Sequence, residues 1–556
     1  MFCYQCQETS KNQACTLRGV CGKTEDVAAL QDLLLYVTTG LSFYGVRARA
    51  LGVTDPEADL FVAEALFSTV TNVNFDAQRF TRLIGRALVL RDGLRARFLA
   101  AYQARHGQPF AEALPGAATW RPQTGSLEEL VAHGQVVGIM ADPQLPEDIR
   151  SLRSLLTYGL KGLAAYTDHA YVLEHRKDEL LAFLQEALAM TADDSATVDD
   201  LVQMNLRCGE MGVQAMALLD EANTSNYGTP EPTQVSLGVR PGPAILVSGH
   251  DLRDLDELLQ QTAGKGINVY THGEMLPANA YPGLKKYKHL VGNYGNAWWR
   301  QREEFEAFGG AILMTTNCLV EPKESYRDRI FTTGLVGWPG VQHIGDRPRG
   351  GQKDFSPVIA KALALGSPKA LEEGTLTIGF AHDTVLSVAD KVIAAIQSGA
   401  VKRFVVMAGC DGRHKERNYF TELARRLPQD TIILTAGCAK YRYNKLGLGE
   451  IGGIPRVLDA GQCNDSYSLV VVALKLAEAL GAKSVNDLPI DYAIGWYEQK
   501  AVLVLLALLS LGVQGIRLGP SLPALVSPNV LQVLVDKFGI KPTTTVEQDL
   551  AEIVGA

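Results

Sequence analysis

The sequence predicts a multidomain α plus α/β protein: an N-terminal helical-bundle domain followed by two Rossmann-like α/β domains with mainly parallel sheets. Three observations predict it. Residues 25–222 carry apolar side chains at helical spacing. After residue 243, short β-branched runs alternate with helical stretches. Two of those runs, RFVVMAGC and TIILTAGC, stop at Ala-Gly-Cys, as buried parallel strands that deliver a ligand would. The expected domains are 1–225, mainly helical with a cysteine loop at 1–24, then 226–370 and 371–556, each α/β.

Four cysteines fall in the first 21 residues: Cys3, Cys6, Cys15 and Cys21, spaced C-x2-C-x8-C-x5-C. Four thiolates in so short a loop can close around a tetrahedral zinc or an iron–sulfur cluster. Structural zinc sites usually come as two tight C-x2-C pairs, so the long gaps favour the larger cluster, with a zinc knot as the alternative. VAALQDLLLYVTTGLSFYGVRARAL and DELLAFLQEALAM then read as amphipathic helices. SLEELVAHG and ATVDDLVQMNL open with Ser or Thr and nearby acids, as helix N-termini do. His106, His133, His169 and His175 lie in this part away from cysteines and read as surface or core histidines, and Cys208 as a lone buried thiol.

The stretch 223–243 is rich in Pro, Gly, Ser, Thr and Asn and reads as a linker. Next come AILVSGHD, GINVYTHGE and GAILMTTNC, strand-like runs ending at His250, Glu274 and Cys318. A second α/β unit begins near residue 371, with TLTIGFAHD, RFVVMAGC, TIILTAGC and QGIRLGP as its strands. Cys410 and Cys438 close two of them, and Cys463 sits in a turn rich in Gly, Asn and Asp. Glu498 opens an apolar helix, where an acid is also a good cap. His272 is the alternative to Glu274, as a ligand or as the residue that orients it.

Each candidate alone is weak; together they are stronger. Four thiolates, one imidazole and two carboxylates exceed what one zinc takes, and mixed soft and hard donors suit a multi-iron cluster with sulfide and oxygen bridges.

Composition excludes several classes. A net charge of −8 argues against a nucleic-acid binder. The apolar run 501–513 is too short to span a bilayer. MFCYQCQETSK lacks the basic and apolar regions of a signal peptide, so a cytoplasmic location with reduced thiols is expected. GLGEIGG at 447–453 matches G-x-G-x-x-G but follows a poor strand and precedes Ile454-Pro455, so it reads as a loop. Nicotinamide binding is therefore not expected, and reducing electrons must come from a separate donor protein.

MFCYQCQET, SGHD, THGEMLPA, TTNC, AGCDGRH, TAGCAKYRYN, GQCNDSYS and GWYEQKA resemble the hybrid-cluster, or prismane, proteins over nearly the whole chain. That family is known for hydroxylamine reductases, with a fold related to carbon monoxide dehydrogenase. The resemblance implies a [4Fe-4S] cluster on Cys3, Cys6, Cys15 and Cys21. It implies a hybrid [4Fe-2O-2S] cluster on His250, Glu274, Cys318, Cys410, Cys438, Cys463 and Glu498, with Cys410 as a persulfide. Glu498, Glu274 and Cys410 are the expected catalytic residues, and His272, Tyr497 and Lys500 are candidates to supply protons.

The expected reaction is two-electron reduction of hydroxylamine to ammonia and water. One alternative is nitric oxide reduction in nitrosative-stress defence. Another is a nitric oxide or redox sensor acting through Cys410, although RFVVMAGC buries that thiol where a sensor would expose it. Carbon monoxide dehydrogenase activity is disfavoured, since only Cys208 remains spare for further metal.

Overall fold

The N-terminal helices start where the sequence supplies caps. Glu25–Ala50 begins behind Thr24, whose hydroxyl accepts from the Val27 N–H, and Pro56–Ser68 and Ala77–His106 begin behind Asp55 and Asp76, each accepting two N–H groups. The computed structural model describes residues 1–555. It divides into two compact units: Met1–Leu218 with Glu498–Leu511 and Pro523–Gln532, and Leu219–Tyr497 with Gly512–Leu522 and Val533–Ala556. Two pieces of the stretch 371–556 thus belong to the helical unit.

In the helical unit, Leu30, Leu33, Leu34, Val37 and Leu41 of the first helix are fully buried, as are Leu156, Leu160 and Leu163 of Glu147–Val172. Helix Gln499–Ser510 owes its apolar sequence to its place here. Its Leu503 and Leu506 are buried, and small residues on the neighbouring helices let it approach closely. A Cβ on Gly209 of helix Val198–Tyr227 would stand 2.1 Å from the Leu506 carbonyl oxygen. Helix Glu25–Ala50 is long and apolar enough to cross a membrane by length and composition, but most of its apolar stretch is buried.

The second unit holds both large sheets. The first has β1 (Thr233–Ser236), β2 (Ala244–Ser248), β3 (Asn268–His272), β4 (Leu290–Asn293), β5 (Ala311–Met314), β6 (Ile330–Thr332), β7 (Gln342–His343) and β8 (Thr375–Ile378), in the order β7-β6-β5-β2-β3-β4-β1-β8. All pairs are parallel except β1 with β8. The second has β9 (Arg403–Gly409), β10 (Thr431–Thr435), β13 (Val457–Asp459), β14 (Ile490–Gly495), β15 (Ile516–Gly519) and β16 (Lys541–Pro542), all parallel, in the order β13-β10-β9-β14-β15-β16. A small hairpin, β11 (Glu450–Ile451) and β12 (Ile454–Pro455), forms around the glycine-rich loop at 447–453.

Two local expectations are corrected. TLTI at 375–378 does not start the second sheet; it closes the edge of the first, antiparallel to β1. The stretch 223–243 is not simply a linker, because the preceding helix runs to Tyr227 and Thr233–Ser236 is a paired strand. Proline and glycine there punctuate the ends of elements rather than a long gap.

Both sheets reverse direction at their middle. In the first, β3 and β5 flank β2; in the second, β10 and β14 flank β9. The carboxyl ends at such a reversal form a crevice, where open α/β sheets bind ligands. His250, Glu274 and Cys318 follow β2, β3 and β5, while Cys410, Cys438 and Cys463 follow β9, β10 and β13.

The close approach at Gly209 gives a stability test. Alanine gains up to about 1 kcal/mol of helix propensity over glycine, but overpacking against backbone costs roughly 1–3 kcal/mol. We expect Gly209→Ala to lower the thermal midpoint of unfolding, measured by calorimetry; an unchanged midpoint would mean that the helices part without cost.

Candidate metal centre

His250, Glu274 and Cys463 bring one imidazole nitrogen, one carboxylate oxygen and one sulfur within 4.8 Å of one another. His250 Nε2 is 3.8 Å from Glu274 Oε2 and 3.6 Å from Cys463 Sγ. The Cys463 N–H donates to Glu274 Oε2 at 2.8 Å. His250 and Glu274 are each 7% exposed, so their donor atoms face protein rather than bulk water.

Local structure aims each group. Thr316 Oγ1 lies 2.9 Å from both the backbone nitrogen and Nδ1 of His250, which fixes the ring and leaves Nε2 to point at the other ligands. Glu274 stands in the 3-10 turn Gly273–Ala280 that follows β3, and Cys463 opens the turn Cys463–Asp465. Gln462 joins the two sheets' contributions: its Nε2 donates to the His250 carbonyl at 3.1 Å and to the Glu274 carbonyl at 2.9 Å. Tyr441 Oη donates to the Gly273 carbonyl at 2.8 Å, holding the same turn.

Cys438 has Glu274, Cys318 and Cys410 among its charged neighbours. Burial pushes the Cys438 thiol well up, and the negative charges of Glu274, Cys318 and Cys410 push it further. The Cys410 backbone is pinned from two sides. Its N–H donates to the Gly495 carbonyl at 2.7 Å, and its carbonyl accepts from Arg417 Nη1 at 3.0 Å. Fully buried Arg417 also donates to the Trp496 carbonyl at 2.6 Å. Gly437, just before Cys438, has φ +86°, and a Cβ there would stand 2.4 Å from the Gly409 carbonyl oxygen. Only glycine allows these two cysteine turns to nest. Cys318 has the Asn317 amide 3.6 Å from its sulfur and the Gln301 amide on its carbonyl.

His272 is not a ligand candidate in this geometry. Its ring nitrogens lie 3.0 Å from Ser248 Oγ and 2.9 Å from Glu304 Oε2, so it braces the floor behind Glu274. Burial pushes the Glu304 carboxyl up, but hydrogen bonds from His272 and Asn296 outweigh this and hold it below its ordinary value. Tyr497 is fully buried and stacks on Trp298 with ring centroids 4.4 Å apart. Glu498 belongs to the helical unit, where it caps helix Gln499–Ser510 by accepting from the Lys500 N–H at 2.8 Å; Lys500 Nζ is 3.5 Å from its Oε1.

The N-terminal thiols form a second group. Cys3 and Cys15 pair as an antiparallel bridge through backbone hydrogen bonds of 3.1 and 2.8 Å. Burial pushes the Cys6 thiol well up, and Cys21 and Cys3 add to it. Lys23 Nζ lies 3.4 Å from Cys3 Sγ and donates to Gln31 Oε1 at 2.7 Å. Among the described residues, only His250, Glu274 and Cys463 draw three such donor atoms within 4.8 Å. Cys208 is fully buried with its thiol pushed up by burial alone, as a core residue would be.

The model of the Prismane/CO dehydrogenase family matches residues 1–551. The chain belongs to that family. It is 62% identical over 554 residues to the hydroxylamine reductase of Halothermothrix orenii, covering 100% of this chain and 99% of that one. It is 64% identical over 551 residues to the hydroxylamine reductase of Thermosipho melanesiensis, covering 99% of each. Among solved structures, carbon monoxide dehydrogenase IV from Carboxydothermus hydrogenoformans superposes with a TM-score of 0.57 at 17% identity, over 97% of this chain and 89% of that one. At that identity the likeness is one of fold.

Sequence reasoning named His250, Glu274 and Cys463, which this Prismane/CO dehydrogenase chain brings together, but missed the residues that hold them. Thr316, Gln462 and Arg417 all adjoin ligand motifs, yet nothing in the linear sequence says which backbone groups they reach. Gln462 gives the test. Gln462→Ala leaves two buried carbonyls without that donor, at about 1–3 kcal/mol for each group left unsatisfied. We expect a lower unfolding midpoint by calorimetry and fewer irons per chain by elemental analysis.

Proposed function

We propose that this protein reduces hydroxylamine, NH2OH + 2 e− + 2 H+ → NH3 + H2O, as an iron–sulfur oxidoreductase in a reducing, cytoplasmic setting. The observation that carries this reading is the convergence of imidazole, carboxylate and thiol donors within 4.8 Å at the carboxyl ends of two sheets. Full-length relatives at 62–64% identity carry the name of that activity, which does not favour nitric oxide reduction.

We assign His250, Glu274, Cys318, Cys410, Cys438, Cys463 and Glu498 to a hybrid [4Fe-2O-2S] cluster, with Cys410 carrying the extra sulfur. Cys3, Cys6, Cys15 and Cys21 would hold a [4Fe-4S] cluster. Held by these residues, the cluster would supply the two electrons and a Lewis-acidic site for the substrate.

The chain's own residues do the rest. Thr316 fixes the His250 ring so that Nε2 stays aimed. The stacked Trp298 and Tyr497, both buried, keep water from that side of the fold. Lys500 Nζ, 3.5 Å from Glu498 Oε1, is placed to hold a proton at that carboxylate. His272, with both nitrogens engaged, acts as a brace rather than a proton source. Cys410 is only partly buried, but its backbone is pinned on both sides, which suits a fixed ligand better than a mobile sensor thiol.

The test is direct. Protein prepared without oxygen should contain about eight irons per chain and, once reduced, form ammonia from hydroxylamine. Absence of turnover with intact iron would remove this activity. Glu274→Gln should abolish ammonia formation. Thr316→Val should lower it roughly 10- to 100-fold, as loss of a residue that orients a metal-bound histidine does, with its iron content measured alongside.

A further inference from the structure

We infer that the loop between Cys15 and Cys21, with the groove beside it, is the docking surface for a small acidic one-electron carrier protein. The inference rests on the reading of the four N-terminal cysteines as an iron–sulfur site.

Three features of this surface converge. The first is exposed apolar surface directly on the loop that supplies two of the thiols: Leu17 is 88% exposed and Val20 47% exposed. A single exposed leucine is ordinary. These two, however, sit between Cys15 and Cys21, a few bonds from the sulfurs that electrons must reach. The second is a groove of about 640 Å³ adjoining the loop, lined by Phe2, Tyr4, Lys11, Thr16, Met140 and Arg150 among others. Met140 is 41% exposed and extends the apolar surface into it.

The third is charge. From Thr9 to Thr24 the sequence carries Lys11, Arg18 and Lys23 and no acid, in a chain whose net charge is −8. Lys11 and Arg18 are exposed, whereas Lys23 is buried against Cys3. Arg150 adds a positive charge at the groove, and Glu147 is the one acid lining it. A basic rim around an apolar centre, on an otherwise acidic protein, selects an acidic partner and steers it. Electron-transfer encounters need only a small interface of this kind. The donor's oxidation balances the reaction: each docked carrier loses one electron, so two encounters and two protons accompany each N–O bond broken.

The test uses the full-length protein prepared without oxygen and an oxidised, acidic plant-type ferredoxin with a single two-iron cluster as the probe. Calorimetric titration at low salt should show binding that weakens steeply as salt rises. In Lys11→Glu/Arg18→Glu, affinity should fall about tenfold or more, and its salt dependence should flatten. Leu17→Ser should lower affinity while leaving the salt dependence as it was. In both variants the iron content, the visible spectrum and ammonia formation with dithionite should stay at wild-type values, while ferredoxin-driven turnover falls. Wild-type affinity and salt dependence in both variants would overturn the inference, as would failure of the ferredoxin to bind the unaltered protein at low salt. Iron missing from the N-terminal thiols of the unaltered protein would instead sink the cluster reading, a result that elemental analysis reports independently of binding.

Discussion

Thiols and a carboxylate packed together inside a protein repel one another, and the structure depends on that repulsion being relieved. Cys438 has Glu274, Cys318 and Cys410 as its charged neighbours, and its thiol is held well up. Burying ionised groups without compensation costs far more than a fold's net stability. Positive charge shared among these donors removes the penalty for all of them at once. The buried basic residues nearby are already engaged elsewhere: Lys440 is bound to Asp459 and the Gly461 carbonyl, and Arg417 to two carbonyls.

Geometry then limits how the chain can deliver the donors. Parallel strands end on one side of a sheet, so two sheets that each reverse at the middle can present several side chains without long loops. The last residues of each turn are fixed by backbone rather than by side-chain packing. Gly437 nests against the Gly409 carbonyl, Gln462 bridges two carbonyls, and the Cys410 peptide hydrogen-bonds to β14. Such positions tolerate little change because the donors move with the backbone.

The fold class was legible in the sequence because periodicity changes abruptly, from helical spacing before Tyr227 to short β-branched runs after Pro243. His250, Glu274 and Cys463 were legible because each closes a strand-like run or sits in a tight turn. What could not be seen was long-range. TLTI reads as a strand, but only pairing with Thr233–Ser236 decides which sheet it joins. The helix at Gln499–Ser510 reads as buried, but nothing local says that its partners are helices near residues 162 and 209. His272 and Glu274 are equally plausible as ligands in THGEM; Ser248 and Glu304, remote in the chain, decide between them.

Soft and hard donors meet around the centre through Glu274. Glu274 lies within 4.8 Å of the His250 and Cys463 donors and is also among the charged neighbours of Cys438, with Cys318 and Cys410. Thiolates bind soft metal tightly and hold it, while carboxylate and imidazole exchange more readily with oxygen and nitrogen ligands. In the function proposed above, a substrate whose reacting atoms are nitrogen and oxygen would be met where His250 and Glu274 stand. In the same proposal, Cys3, Cys6, Cys15 and Cys21 offer thiols alone, which would suit passing electrons rather than binding a substrate. The division of labour follows from which side chains each turn supplies.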